Sequence, residues 1–410
     1  MTEPRSAPAS VPVTDAAGPG IAAVNRAHTL DEWREALPAI VHGAGAAWRP
    51  IPIRLHPGEG NDFRAICDRQ GLRLHDEITR QLHELAQVRH PSVGEEAPIA
   101  ALAETMVREA GDRDAVGTWW HFPWDGRVVH LLADDDYFAV ITNRNQDKLT
   151  AGELAQLRQR RVGVVGLSVG GEAAVTVAQE HLCGEIWLAD FDTLDLSNLN
   201  RLGAGCDDLG VAKTTIVARR IAKLNPYLRV GALHAGITPD NVEPFVRGVD
   251  LVLEECDSLP IKGLVRRAAR AHGVNVLYAA DERGFVSIEP YALDPTFPPF
   301  LGDDADAHRA RSDFQSAQAF YIALAAWLGG WDQISERSRQ SLAEIGTSLR
   351  GYPQLASEAR YAAGIVGHIV RRLLLGDRIP AWHGHLDLDE QLPREPLPHR
   401  PVVTGAGGAP

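Results

Sequence analysis

The chain of 410 residues has little cysteine: Cys67, Cys183, Cys206 and Cys256 stand far apart, with no C-x-x-C pair. Their spacing excludes a disulfide framework and a cysteine-built zinc site, and fits a reducing compartment. Long apolar runs are also missing. Nothing reaches the ~18–20 residues that span a bilayer, and the first thirty residues lack the apolar core of a secretory signal. The expected setting is therefore cytoplasmic, without a membrane. Basic residues are outnumbered, 41 Lys and Arg against 54 Asp and Glu, for a formal charge of −13. That balance argues against nucleic acid as the partner, because phosphate affinity needs clustered cations. What is present, 45% hydrophobic residues, suffices for a large core, and the length allows two or three domains at about 150 residues each.

Residues 1–30, rich in Ala, Pro, Thr and Ser, read as a flexible leader, and residues 378–410 as a flexible tail. His383, His385, Asp387 and Asp389 alternate in that tail in a metal-like pattern, but a Pro-rich end seldom fixes ligand geometry, so they read as solvated. Residues 31–145 read as a small α+β domain. Ile66, Leu74, Ile78, Leu82 and Leu85 have helical spacing, followed by β-rich runs at 119–124, 127–132 and 137–142. The Asp125-Gly126 hairpin signal and an acidic turn at Asp134-Asp135-Asp136 separate these runs. Residues 146–305 alternate strand and helix, with strands expected at 162–165, 186–189, 229–233, 250–253, 274–278 and 286–291 and a first helix at 173–181. This is the pattern of a doubly wound, Rossmann-like α/β sheet. Residues 306–377 read as a helical extension, with apolar stretches at 319–327 and 362–375.

Gly166-Leu167-Ser168-Val169-Gly170-Gly171 lies where the first strand turns into the first helix, a place where backbone N–H groups and the helix dipole attract phosphate. Ser168 occupies the second glycine position of G-x-G-x-x-G. Asp190, 24 residues after Gly166, is the acidic residue that a ribose would want. These features alone suit NAD and ATP equally.

The segment Asp190-Phe191-Asp192, then Ser197-Asn198-Leu199-Asn200-Arg201, then Gly210-Val211-Ala212-Lys213 and Asn225-Pro226 resembles the ThiF and MoeB adenylyltransferases, relatives of ubiquitin-activating enzymes. Glu254-Glu255-Cys256-Asp257 stands where that family has D-C-T-D. The resemblance implies activation of a carboxylate by attack on the α-phosphorus of ATP, giving an acyl-adenylate and pyrophosphate. Two anions must meet, so fixed cations and magnesium are required. It further implies that Asp190 holds the ribose and that Asn198, Arg201 and Lys213 hold phosphates. Asp257 would bind Mg2+, with Asp192 beside the nucleotide. Arg144, or Lys148, would be delivered from the partner of a homodimer.

Departures from the family narrow the expectation. The zinc-binding C-x-x-C pairs are missing, so no zinc is expected. No cysteine follows Cys256, and Ala280-Asp281-Glu282-Arg283-Gly284-Phe285 stands where the crossover region begins, which disfavours a thioester relay. Cys256 and Cys206 read as ordinary, unreactive thiols. The motif set is most similar to a bacterial branch often fused to a nitroreductase-like half; the chain ends before such a half, so no flavin is expected. The acceptor could be a peptide, carrier protein or small metabolite. Trp119, Trp120, Phe122 and Trp124 would form either a docking surface or the core of their own domain. Two other readings stay open: an NAD(P)-binding oxidoreductase, and a degenerate scaffold suggested by Ser168 and Ser258.

Overall fold

A computed structural model describes residues 26–94, 96–302 and 331–392. The first sheet forms before residue 145. Its elements are α1 (Leu30–His42), β1 (Ile51–Ile53), α2 (Gly60–Arg69), β2 (Arg73–Asp76), α3 (Ile78–Arg89), α4 (Glu96–Ala110), β3 (Thr118–Phe122), β4 (Arg127–Leu131) and α5 (Asp134–Ile141). The strand order is β1-β3-β4-β2. Strands β3 and β4 form the expected antiparallel hairpin, turning through Gly126 in the left-handed region.

Three expectations fail in this part. Leu74 lies on β2, parallel to β4, so the helical spacing is interrupted there. Residues 137–142 do not make a strand. Asp134, Asp135 and Asp136 fill the first turn of α5, where carboxylates complement the positive end of the helix dipole, so the acidic run starts a helix. Residues 26–30 are not a free leader: the His28 N–H donates to the Pro52 carbonyl at 2.8 Å, and its own carbonyl accepts from the Arg54 N–H at 2.9 Å.

The second sheet follows α6 (Ala151–Leu157). It is built from β5 (Arg161–Val165), α7 (Val169–Gln179), β6 (Glu185–Ala189), α8 (Lys213–Leu224), β7 (Arg229–Leu233), α9 (Val242–Arg247), β8 (Leu251–Glu254), α10 (Leu259–His272), β9 (Asn275–Ala279) and β10 (Phe285–Glu289). Beyond it come α11 (Glu336–Glu344), α12 (Ala356–Leu375), β11 (Trp382–His385) and α13 (Leu388–Gln391). The order is β11-β10-β9-β8-β5-β6-β7. Strands β5 to β9 are parallel, and β10 and β11 are antiparallel.

The parallel strands are apolar on both faces because helices cover both. Val162, Val164, Leu188 and Leu253 pack with α7, α8 and α12. Val165, Trp187, Val252 and Val276 pack with α9 and α10. Helix α12 lies so close to α7 that a Cβ on Gly367 would stand 3.1 Å from Thr176 Cγ2. The expected apolar stretch at 319–327 lies outside the described residues, whereas 362–375 is the C-terminal part of α12.

The tail expectation also fails for residues 382–391. His383 and His385 sit on β11 opposite Ser287 and Phe285, so their alternation is the two-residue period of an edge strand. Backbone pairing with β10, invisible to composition, orders the segment.

Of the aromatic run, Trp119, Trp120 and Phe122 are buried and Trp124 is half-buried. Trp119 packs with Trp33 and Phe63 in the N-terminal core, and Trp120 and Phe122 pack against Ala222 on α8 with Tyr227 beside them. The Tyr137 hydroxyl donates to the Leu224 carbonyl and the Tyr227 hydroxyl to that of Leu132, both at 2.6 Å. These residues form a core and a seam between the two sheets.

Candidate nucleotide site

Strand β5 has β6 on one side and β8 on the other, and the chain direction of the crossovers reverses there. Ligands of open α/β sheets bind at that point, outside the strands' carboxyl ends. A cleft of about 330 Å³ opens there, lined by the segments that follow β5, β6 and β8 and by the start of α8.

The glycine turn is dictated by close approach. Gly166 has φ 86°, and a Cβ on it would lie 2.6 Å from the Cys256 nitrogen and 2.7 Å from the Glu255 carbonyl carbon. No side chain fits between these backbones. A Cβ on Gly170 would stand 2.9 Å from Glu255 Cβ. Ser168 is the residue before α7 and makes no side-chain cap. Instead its Oγ accepts from Arg201 Nε at 3.3 Å, so the serine in the glycine position serves as an anchor for the arginine.

Asp190 is the first residue after β6 and is buried. Its carboxylate accepts the Leu167 N–H at 2.6 Å and the Asp192 N–H at 2.8 Å. Burial raises its pKa above the usual carboxylate range, against the opposing pull of these bonds and of Lys213. Lys213, the first residue of α8, is buried, and its Nζ lies 2.8 Å from Asp192 Oδ2. Asp257 follows β8 and lines the cleft. Its surroundings raise its pKa, opposed by Lys262, Lys213 and Arg201.

Asp190, Asp192, Lys213, Asp257, Gly166 and Ser168 thus share one cleft. Arg201 reaches it through Ser168. Asn198 behaves differently: its Oδ1 accepts the Asp195 N–H at 3.0 Å, closing the short turn Leu196–Asn200. Arg144 is not brought to the cleft. It is exposed on the turn Asn143–Asn145, and Asn145 Nδ2 donates to the Glu180 carbonyl at 3.4 Å, past the C-terminal end of α7. The cleft lies at the other end of this 11-residue helix, about 16 Å away at 1.5 Å per residue. Cys256 lines the cleft as a thiol whose pKa burial pushes well above normal.

One cluster escaped the sequence reading. Beneath the cleft floor, fully buried Glu254 accepts from Lys262 Nζ at 3.1 Å and from Arg266 at 2.5 Å; Arg266 also binds Glu289 at 3.0 Å. Glu254 Oε1 takes the Cys256 N–H at 3.0 Å, and so holds the turn that carries Asp257. The available signal was an acid ending an apolar strand, followed by two cations four residues apart on α10.

This arrangement is a doubly wound α/β domain with a cleft at its topological switch point. Residues 142–288 match the model of the ThiF family. Among similar proteins, uncharacterized protein MT1398 of Mycobacterium tuberculosis is 40% identical over 287 residues, 69% of this chain and 40% of that one. The tRNA threonylcarbamoyladenosine dehydratase of Haemophilus influenzae is 29% identical over 130 residues, 31% of this chain and 50% of the relative. The sulfur carrier protein adenylyltransferase of Thermus thermophilus is 31% identical over 133 residues, 32% and 49%. The chain spans half or less of each relative's own length.

Proposed function

We propose that the protein is an ATP- and magnesium-dependent adenylyltransferase that activates a carboxylate of a peptide, carrier protein or small metabolite as an acyl-adenylate. The observation that carries this reading is the convergence of Asp190, Lys213 and Asp257 on the cleft kept open by Gly166. The name of the Thermus relative supports it.

In this reading the backbone of the glycine turn and the N-terminus of α7 face the phosphates. Asp190 keeps acceptor capacity on each oxygen beyond its single N–H bond, enough for ribose hydroxyls. Lys213 and Arg201 offset the charge that grows on the phosphate oxygens as the carboxylate approaches. Asp257 fits a magnesium ion that takes one carboxylate and otherwise phosphate oxygens and waters, as this ion commonly does; when bound, the ion neutralises phosphate charge. Asn198 acts by shaping the turn that presents Arg201. Arg144 stands at the far end of α7, so the phosphate role that the resemblance implies for it requires a second copy of the chain. Among the described residues no helix is long and apolar enough to cross a membrane.

Calorimetry with ATP and magnesium, run beside NADH, tests the reading. Saturable ATP binding weakened by Lys213→Ala is expected. Tight NADH binding with no response to ATP would overturn it.

A further inference from the structure

A second and larger cavity, about 700 Å³, lies between the β9–β10 hairpin, α11, the start of α12 and the turn after β11. Its wall is acidic: Asp281, Glu282, Glu336, Glu358, Asp387 and Asp389 face Arg283 and Arg337. Arg283 is already committed to Asp387 and Glu390. Glu282 is satisfied by Ser335, Ser338 and Tyr352. Asp281 is satisfied only in part: it is 8% exposed and Gln354 contributes a hydrogen bond, but its Oδ2 has no hydrogen-bond partner among the described residues. A buried carboxylate oxygen without a donor is costly and marks a position where a donor is missing.

The cavity is linked to the nucleotide cleft through the turn that carries Arg201. Asn200 Nδ2 donates to the Gln354 carbonyl at 2.7 Å, tying the turn before Arg201 to the cavity's rim. Asp281 feels the charges of both Arg201 and Asp257. Burial pushes the Asp281 carboxyl up to about 6, and burial with the neighbouring Asp281 and Glu282 charges pushes Glu358 to about 7. Burial and carboxylate neighbours outweigh the pull of Arg201 at Asp281, and only carboxylate charges act on Glu358, so an anionic occupant would meet repulsion.

Resting on the adenylation reading, we infer that this cavity seats the acceptor as a primary ammonium held by Asp281 and Glu358, so that the product is an amide. One proton of the bound ammonium passes to the Asp281 carboxylate, and the freed nitrogen pair attacks the acyl carbon. The C–O bond to AMP breaks, AMP leaves with that electron pair, and the remaining surplus proton on nitrogen goes to solvent. The 700 Å³ leaves room for the body of the acceptor beside Leu355 and Tyr361.

The probe is 1,4-diaminobutane, titrated calorimetrically into the full chain beside its uncharged analogue 1,4-butanediol. Saturable binding of the diamine and none of the diol is expected. Asp281→Asn and, separately, Glu358→Gln on the half-buried rim should each weaken the diamine at least ~10-fold, the scale of one lost charge-assisted hydrogen bond. Glu109→Gln, an exposed acid on α4, should bind as wild type. Equal binding of diol and diamine, no diamine binding, or wild-type affinity in both pocket variants would overturn the inference. Magnesium ATP titrated into the wild-type chain reports separately: a chain that binds ATP but no diamine loses only the acceptor assignment, and a chain without ATP binding loses the adenylation reading itself.

Discussion

Lys213 Nζ lies 2.8 Å from Asp192 Oδ2, and the Lys213 N–H donates to the Asp192 carbonyl at 2.9 Å. A lysine at the first position of a helix opposes the positive end of the dipole, so its placement there costs stability that Asp192 offsets. The same pairing holds the ammonium at the cleft, where the adenylation reading puts the phosphates. Lys213→Ala is expected to lower pyrophosphate exchange into ATP by about 10²-fold, the scale of one deleted charge-stabilising donor, with little loss of thermal stability. Near-normal exchange would remove Lys213 from the site.

Ser168 Oγ accepts from Arg201 Nε at 3.3 Å, and Asn200 Oδ1 accepts from its Nη1 at 2.9 Å. Ser168→Gly removes the acceptor for Arg201 Nε while easing the turn, so exchange should fall although the turn then matches the glycine motif more closely. Arg201→Ala should fall further, about 10²-fold. The double variant should be no worse than Arg201→Ala alone, because the serine acts through the arginine; additive losses would show that it does not.

Gly166→Ala forces a Cβ within 2.7 Å of the backbone at Glu255 and Cys256, at φ 86°. Overpacking of this kind costs about 1–3 kcal/mol, and here it also spreads the cleft. Urea unfolding should show the loss of stability, and ATP binding should be lost with it. Retention of both would mean that the two turns separate freely.

Glu254→Gln leaves Lys262 and Arg266 buried around a neutral group. Removing one partner of a buried ion pair typically costs about 3–5 kcal/mol, so the urea midpoint should drop sharply. A Glu254→Gln chain as stable as wild type would show that the cations had found other carboxylates.

His121 and His181 are both held near pKa 4, mainly by burial, and Trp33 Nε1 donates to His121 Nδ1 at 3.2 Å, which requires that nitrogen unprotonated. Unfolded histidine titrates near ~6.5. The folded value is depressed, so the unfolded state takes up protons first. Stability should be full above pH ~6.5 and fall as the pH drops toward 4. His121→Gln should flatten that slope in urea titrations at several pH values; an unchanged slope would assign it elsewhere.

The doubly wound sheet was legible because its strands are short apolar runs alternating with helical spacing, and the boundaries of β7 agree with expectation. Gly166 and Asp190 were legible from their places just after strand ends, Lys213 and Asp257 from the motifs that carry the resemblance, and the fold brings all four to one cleft. Other features depend on partners distant in the chain. β11 exists only because β10 offers an unpaired edge, and the buried faces of Trp120 and Phe122 are explained by Ala222 and Tyr227, a hundred residues on. α5 was misjudged locally, since an acidic triplet suits a turn and a helix start equally well. The acidic cavity could not be seen at all, because its walls come from four separate stretches of sequence.

The charges beneath the cleft floor carry a consequence for how this protein can change over time. Glu254, Lys262, Arg266 and Glu289 neutralise one another where water does not reach. A single exchange strands a charge, whereas a coordinated exchange to apolar residues does not. The four positions are thus constrained to drift as a block. In related chains, the joint presence or joint loss of the set should trace descent more faithfully than the glycine turn, where one tolerated serine already blurs the pattern.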